Sequence, residues 1–144
     1  MDTSKKGLYH PVIMGHNKHP FHFEKKEEAS VIIEAYNQLC GDQFKLYLDL
    51  DGDKILQAHF HGYGCAVSKA STSLLVQQLE KRRIEDVKIL IDKYLNMLKG
   101  EGEELVEQSP WDELSVFKAA QNYPARMKCA TLCWEEIQRF IDTK

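Results

Sequence analysis

No stretch of this sequence approaches the roughly 18–20 apolar residues that a membrane span needs, so no membrane partner is expected. Basic residues are not in excess: 19 Lys and Arg stand against 22 Asp and Glu, a net charge of −3, which argues against nucleic acid as the partner. There is no internal repeat and no low-complexity tract. The segment from Met1 to Gly7 is polar and lysine-bearing, and no signal-type hydrophobic stretch follows it, so a cytoplasmic location is expected. Thiols in that compartment stay reduced. The four cysteines are therefore read as free, metal-bound or catalytic rather than disulfide-bonded.

What is present is an ordinary globular balance. Hydrophobic residues make up 43% of the 144 positions and charged residues 28%, enough for one buried core. We expect one domain over 1–144, with residues 1–28 forming an N-terminal helix and connector. Residues 8–16 suit a short helix, Pro20 breaks the chain, and 17–28 read as a solvated connector. Ser30 to Tyr36 carries two signals. Its Val31-Ile32-Ile33 run favours a strand, and the preceding Glu27-Glu28-Ala29 suits a helix start. We read it as a strand, because two clear strands follow and would pair with it. Phe44, Leu46, Leu48 and Leu50 alternate with polar positions, and Asp51-Gly52 marks a hairpin turn. The return strand is expected to place Leu56, Ala58 and Phe60 on one face and Gln57, His59 and His61 on the other.

Beyond Gly62-Tyr63-Gly64 the period becomes helical. Ala66 to Leu79 is a predicted helix, although its Ser and Thr content weakens the propensity argument. Ile84, Val87, Ile91, Tyr94 and Leu98 mark an amphipathic helix. Residues 99–110 read as an acidic, Gly-broken connector, with 101–107 a solvated loop, and Trp111 to Ala120 as a short helix. Pro124 opens a last helix whose stripe is Ala130, Cys133, Ile137, Phe140 and Ile141. Strands followed by helices predict an α+β fold, a three-stranded antiparallel sheet with helices packed on it.

The cysteines occupy loops and helix starts. Cys40 precedes Gly41-Asp42 in a turn, Cys65 opens a helix after two glycines, and Cys129 lies early in another helix, near Arg126 and Lys128. A helix N-terminus stabilises negative charge, which favours the thiolate at Cys65 and Cys129. Three thiolates and the Asp42 carboxylate make a sensible tetrahedral zinc shell. Spacing does not select that reading. Between Cys40 and Cys65 lie 24 residues, and between Cys65 and Cys129 lie 63, neither the short separation of a zinc finger. On spacing alone, buried cysteines packing as small hydrophobes are the commoner description. Cys133 falls on the apolar stripe and is read as core. His10, His16, His19, His22, His59 and His61 are read as exposed histidines, and Trp111 and Trp134 as core anchors.

Three segments carry a resemblance. Cys40-Gly41-Asp42, then Gly62-Tyr63-Gly64-Cys65-Ala66-Val67-Ser68-Lys69-Ala70-Ser71, then Pro124-Ala125-Arg126-Met127-Lys128-Cys129-Ala130-Thr131-Leu132 resemble, in order, the three motifs of the NifU-N/IscU family. The likeness extends from about Tyr9 to Trp134. Two features look like the SufU branch: Lys128 stands where scaffold-type relatives carry His, and the stretch between Cys65 and Cys129 is long. The resemblance implies a Zn2+ site formed by Cys40, Asp42, Cys65 and Cys129. It implies a SufS-type cysteine desulfurase as partner, with SUF scaffold proteins downstream. It also implies that Cys40 is the persulfide acceptor, leaving the zinc when a desulfurase histidine takes its place, and that Arg126 assists. The activity implied is that of a sulfurtransferase working with the desulfurase. Two other readings stand beside it: an IscU-type scaffold for a [2Fe–2S] cluster, and a metal-free adaptor that docks on the desulfurase. The sequence departs from the family pattern at Gln38, where a Pro is usual, in the approximate match of His16-Asn17-Lys18-His19-Pro20, and at Cys133.

Overall fold

A computed structural model describes residues 7–101 and 110–144. Three strands, β1 (Val31–Asn37), β2 (Asp42–Asp51) and β3 (Lys54–Tyr63), form one antiparallel sheet in the order β1-β2-β3. The expected strand over Ser30–Tyr36 is therefore present, and its partner is the segment that predicted it: Val31 faces Leu48 and Asn37 faces Asp42. Helices α1 (Pro11–Lys18), α2 (Ala66–Leu79), α3 (Ile84–Leu98), α4 (Trp111–Leu114) and α5 (Pro124–Asp142) complete the fold. The architecture is the expected α+β arrangement. The N-terminal helix starts three residues later than the sequence suggested, after a 3-10 turn at Gly7–Tyr9. Most of the connector 99–110 lies outside the described residues.

Helix α2 is the centre of the molecule and packs against α1, β3 and α5. Ten of its residues are buried, four of them Ser or Thr. Small hydroxyl side chains let the neighbouring elements come close, and each hydroxyl is satisfied. Ser71 donates to the Ala130 carbonyl at 2.7 Å, Thr72 to the Ser68 carbonyl at 2.8 Å, and Ser73 accepts the Phe21 N–H at 2.8 Å. Trp134 stacks on Tyr94 with ring centroids 3.7 Å apart, and its Nε1–H donates to Ser71 Oγ at 2.9 Å. That network ties α2, α3 and α5 together one residue beyond Cys129.

Three local expectations are corrected. Leu56 is 43% exposed, and Ile55 takes the core position instead. The register slips between Asp49 and Leu50, so that Gln57 faces Asp49 while Ile55 faces Leu50. One extra residue on β3 is a β-bulge, and it turns Leu56 outward. His59 is buried, not exposed: His22 stacks on it at 4.5 Å, and burial lowers its pKa, with the charges of His22 and Lys26 acting the same way. The cover comes from the supposedly solvated connector. Phe23 bridges Phe60 in parallel, the Phe60 N–H donates to the His22 carbonyl, and the Glu24 N–H donates to the Phe60 carbonyl. Finally, the expected helix over 111–120 becomes 3-10 from Ser115 to Asn122. Leu114, Phe117 and Ala120 are all fully buried. Their spacing of three matches the three residues per turn of a 3-10 helix, which aligns them on one face.

Candidate metal centre

Three sequence-predicted side chains, Cys40, Asp42 and Cys129, meet where the β1–β2 turn and the first half of α5 converge, and a fourth, Cys65, borders them from the α2 N-terminus. Asn37 builds the turn: its carbonyl accepts the Gly41 N–H at 2.8 Å and its Oδ1 accepts the Leu39 N–H at 3.2 Å. Gly41 has φ +72°, a conformation that side-chain-bearing residues resist. The turn with Gln38 in place of the family's usual Pro is thus held from Asn37, and it leaves Cys40 exposed at its tip. Asp42 follows as the first residue of β2 and is fully buried.

Cys65 is the N-cap of α2, and its sulfur accepts the Ser68 N–H at 3.4 Å. Gly64 precedes it because nothing larger fits. A Cβ at Gly64 would lie 2.5 Å from Ser68 Oγ, 2.7 Å from Asp42 Oδ1 and 2.9 Å from Phe44 Cε2. Cys129 is buried on α5, with its Sγ 3.5 Å from Cys40 Sγ. Sγ of Cys40, a carboxylate oxygen of Asp42 and Sγ of Cys129 all lie within 4.8 Å of one another. This is the only such group of His, Cys, Asp or Glu among the described residues. Cys65 does not meet that distance to all three, but it borders the group through Cys129 and Asp42.

The electrostatics divide the two inner thiols. Cys65 is pushed well below the usual thiol range, first by the hydrogen bond it accepts from Cys129 and then, against the penalty of burial, by the Ser68 N–H. Cys129 moves the opposite way, because Cys65 holds its proton and burial disfavours its charge. The expected thiolate at Cys65 thus has a structural cause, and the one at Cys129 does not. Cys129 lies beyond the first turn of α5, where the helix dipole has faded. Its presumed cation Lys128 instead pairs with Glu135 at 2.8 Å. Arg126 does face the site, and the hydrogen bond to Cys129 and the charges of Cys65 and Cys40 hold it firmly cationic. Cys133 packs in the core, and burial pushes its thiol up to about 12.

The donor set fits a metal ion. Asp42 Oδ1 accepts the Cys65 N–H at 3.0 Å and the Ser68 hydroxyl at 3.1 Å, while buried Oδ2 has no partner. An unpartnered buried carboxylate oxygen costs more than an ordinary hydrogen bond returns, and a cation beside the sulfurs would satisfy it. Thiolates with one carboxylate suit zinc, and thiolates also hold iron–sulfur clusters. Ser68 and Asn37 were not singled out from the sequence. Ser68's place three residues after an N-cap was the available signal. The histidines supply no competing cluster: His16 is engaged by Ser73 at 2.7 Å, and His22 pairs with Glu80 at 2.9 Å.

The described residues thus combine a small antiparallel sheet backed by helices with two cysteines and an aspartate gathered at one end. The chain belongs to the family of the NifU-like N terminal domain, which it matches over residues 8–130. It is 32% identical over 134 residues to the zinc-dependent sulfurtransferase SufU of Bacillus subtilis, covering 93% of this chain and 89% of that protein. It is equally 32% identical, over 117 residues, to the iron–sulfur cluster assembly scaffold protein IscU of Thermotoga maritima, covering 81% and 80%. Among solved structures, a candidate iron–sulfur cluster assembly scaffold of the SUF system from Fervidobacterium islandicum superposes with a TM-score of 0.82 at 32% identity. That match covers 92% of this chain and 95% of the other. A NifU-like N-terminal protein from Brucella abortus, at 18% identity and a TM-score of 0.81, shares the fold.

Proposed function

We propose that this chain, acting as one domain, is a zinc-dependent sulfur acceptor that takes persulfide sulfur from a SufS-type cysteine desulfurase and passes it to SUF scaffold proteins. Cys40, Asp42, Cys65 and Cys129 hold the metal. The observation that carries this reading is a difference in exposure within one cluster. Asp42 and Cys129 are buried and Cys65 is half-buried, while Cys40 stands exposed on the turn that Gly41 allows.

Bound zinc supplies a non-redox cation that keeps thiolates ionised and tolerates exchange of a ligand. The chemistry belongs to the chain's own groups. The Cys40 thiolate attacks the terminal sulfur of the desulfurase persulfide. The sulfur–sulfur bond of the donor breaks, a new one forms at Cys40, and the desulfurase cysteine leaves as a thiolate. Arg126 offers its positive charge beside these sulfurs and stabilises the anionic groups as they exchange.

A second reading is a scaffold for a [2Fe–2S] cluster, favoured by the equal identity to the Thermotoga IscU protein. Against it, Lys128 stands where a scaffold's His would, and its ammonium is engaged by Glu135. Metal analysis and desulfurase turnover separate the two. The zinc reading expects about one zinc per chain as purified, stimulation of the desulfurase, and loss of that stimulation in Cys40→Ala. Full stimulation by Cys40→Ala would sink the acceptor assignment. A stable brown protein after anaerobic reconstitution would favour the scaffold.

A further inference from the structure

Ser68 lies in the first turn of α2 and is fully buried. Its Oγ is 3.1 Å from Asp42 Oδ1, 3.0 Å from the Cys65 carbonyl oxygen and 3.6 Å from Cys65 Sγ. A serine hydroxyl has one proton to give. Of the acceptors in reach, an ionised carboxylate is the strongest partner, so the proton goes to Asp42 Oδ1. Together with the Cys65 N–H on the same oxygen, this occupies Oδ1 from two sides and leaves Oδ2 as the unpartnered atom. The missing side chain at Gly64 is what lets the two groups meet. A Cβ there would collide with both Ser68 Oγ and Asp42 Oδ1.

We infer that Ser68 is a positioning residue of the metal centre: by engaging Asp42 Oδ1 it turns Oδ2 toward the sulfurs as the ligating oxygen. This rests on the reading that the cluster holds a metal. Carboxylates that bind metals are commonly held by such outer partners, and removing one costs about 10–100-fold in affinity. Ser68 also prepares the carboxylate for the moment when Cys40 departs. With Oδ1 committed elsewhere, Asp42 keeps one defined oxygen for the ion.

The test compares the unaltered protein, Ser68→Ala, Ser68→Thr, Asp42→Ala and the double variant Ser68→Ala/Asp42→Ala. Zinc affinity is measured by chelator competition, and Co2+ absorption spectra report ligand geometry without any sulfur transfer. Alanine is the better helix former, so the Ser68→Ala chain should fold, which circular dichroism of the metal-free protein checks. We expect zinc affinity to fall by about 10–100-fold in Ser68→Ala, with shifted Co2+ ligand-field bands. Ser68→Thr, which retains the hydroxyl, restores both. In the Asp42→Ala background, removing Ser68 changes affinity by less than about twofold, because the partner through which it acts is gone. An unchanged affinity and spectrum in Ser68→Ala, or an equal loss in both backgrounds, overturns the inference while leaving the metal reading intact. If the unaltered protein binds neither zinc nor Co2+, the metal reading itself fails and the role of Ser68 fails with it.

Discussion

The buried carboxylate of Asp42 accepts the backbone N–H of Cys65 at 3.0 Å, joining the first residue of β2 to the N-cap of α2. One hydrogen bond thereby couples the chain segment that follows Cys40 to the one that carries Cys65. It also uses up one oxygen of the carboxylate and leaves the other without a partner. The site is thus assembled by contacts that exist independently of any bound ion, and its integrity can be probed through them.

Gly64 is the most sensitive point of that joint. A methyl group there would meet Ser68, Asp42 and Phe44 at 2.5–2.9 Å. Gly64→Ala is expected to lower stability by about 1–3 kcal/mol, the usual range for overpacking, and to weaken zinc binding in parallel. Urea denaturation with metal analysis checks both. Zinc retention equal to that of the parent would show that the contact relaxes freely.

Thiol reactivity should follow the division between Cys65 and Cys129. In the metal-free protein the Cys65 thiol is lowered to about 5 and Cys129 is raised. The thiolate is the reactive form, so alkylation of Cys65 should stay nearly constant from about pH 8 to about pH 6 and fall as pH drops through the shifted value. Cys129 should remain unreacted across that range. Mass spectrometry of iodoacetamide-treated protein resolves the sites. A Cys65 rate climbing tenfold per pH unit near neutrality would contradict the assignment.

His59 predicts a pH dependence of stability. Its folded pKa is lowered from 6.5, first by burial, then by the charges of His22 and Lys26, against the opposing pull of Glu80 and Glu24. The unfolded chain therefore takes up a proton at a higher pH than the folded one. The contribution of His59 is complete above about pH 6.5 and is lost as pH falls through its folded value. His59→Gln should flatten the decline in thermal midpoint on the acid side. An identical decline in that variant would place the effect elsewhere.

The β-bulge makes a prediction that opposes the simple alternation of β3. Ile55→Ala should cost about 2–5 kcal/mol, as for other buried aliphatic truncations. Leu56→Ala should stay within about 0.5 kcal/mol, as for surface positions. Chemical denaturation of the two variants decides it, and equal costs would mean that the bulge does not hold in solution.

Much of the molecule was legible in its residues. Alternation in β2 and the Asp51-Gly52 turn announced the sheet, and a period near 3.6 announced α3 and α5, because one buried face imposes a pattern on local sequence. Cys40, Asp42, Cys65 and Cys129 were visible as loop and helix-start residues, and three ordered motifs supplied the reason to join them. Their chemistry was less legible. The opposite shifts of Cys65 and Cys129 depend on which sulfur donates to which, a relation between segments far apart in the chain.

Other features were decided only by tertiary contact. Ile55 rather than Leu56 faces the core because a bulge shifts the register by one residue, which a period of two cannot reveal. His59 is covered because a connector folds back along β3, and Ser68 serves Asp42 because Gly64 leaves room for it. The sequence by itself determined the elements and nominated the four donors, since both follow from residue type and local period. The fold alone decided which donor is exposed, which oxygen is free and which thiol holds the proton, since these depend on distances between elements that no local pattern encodes.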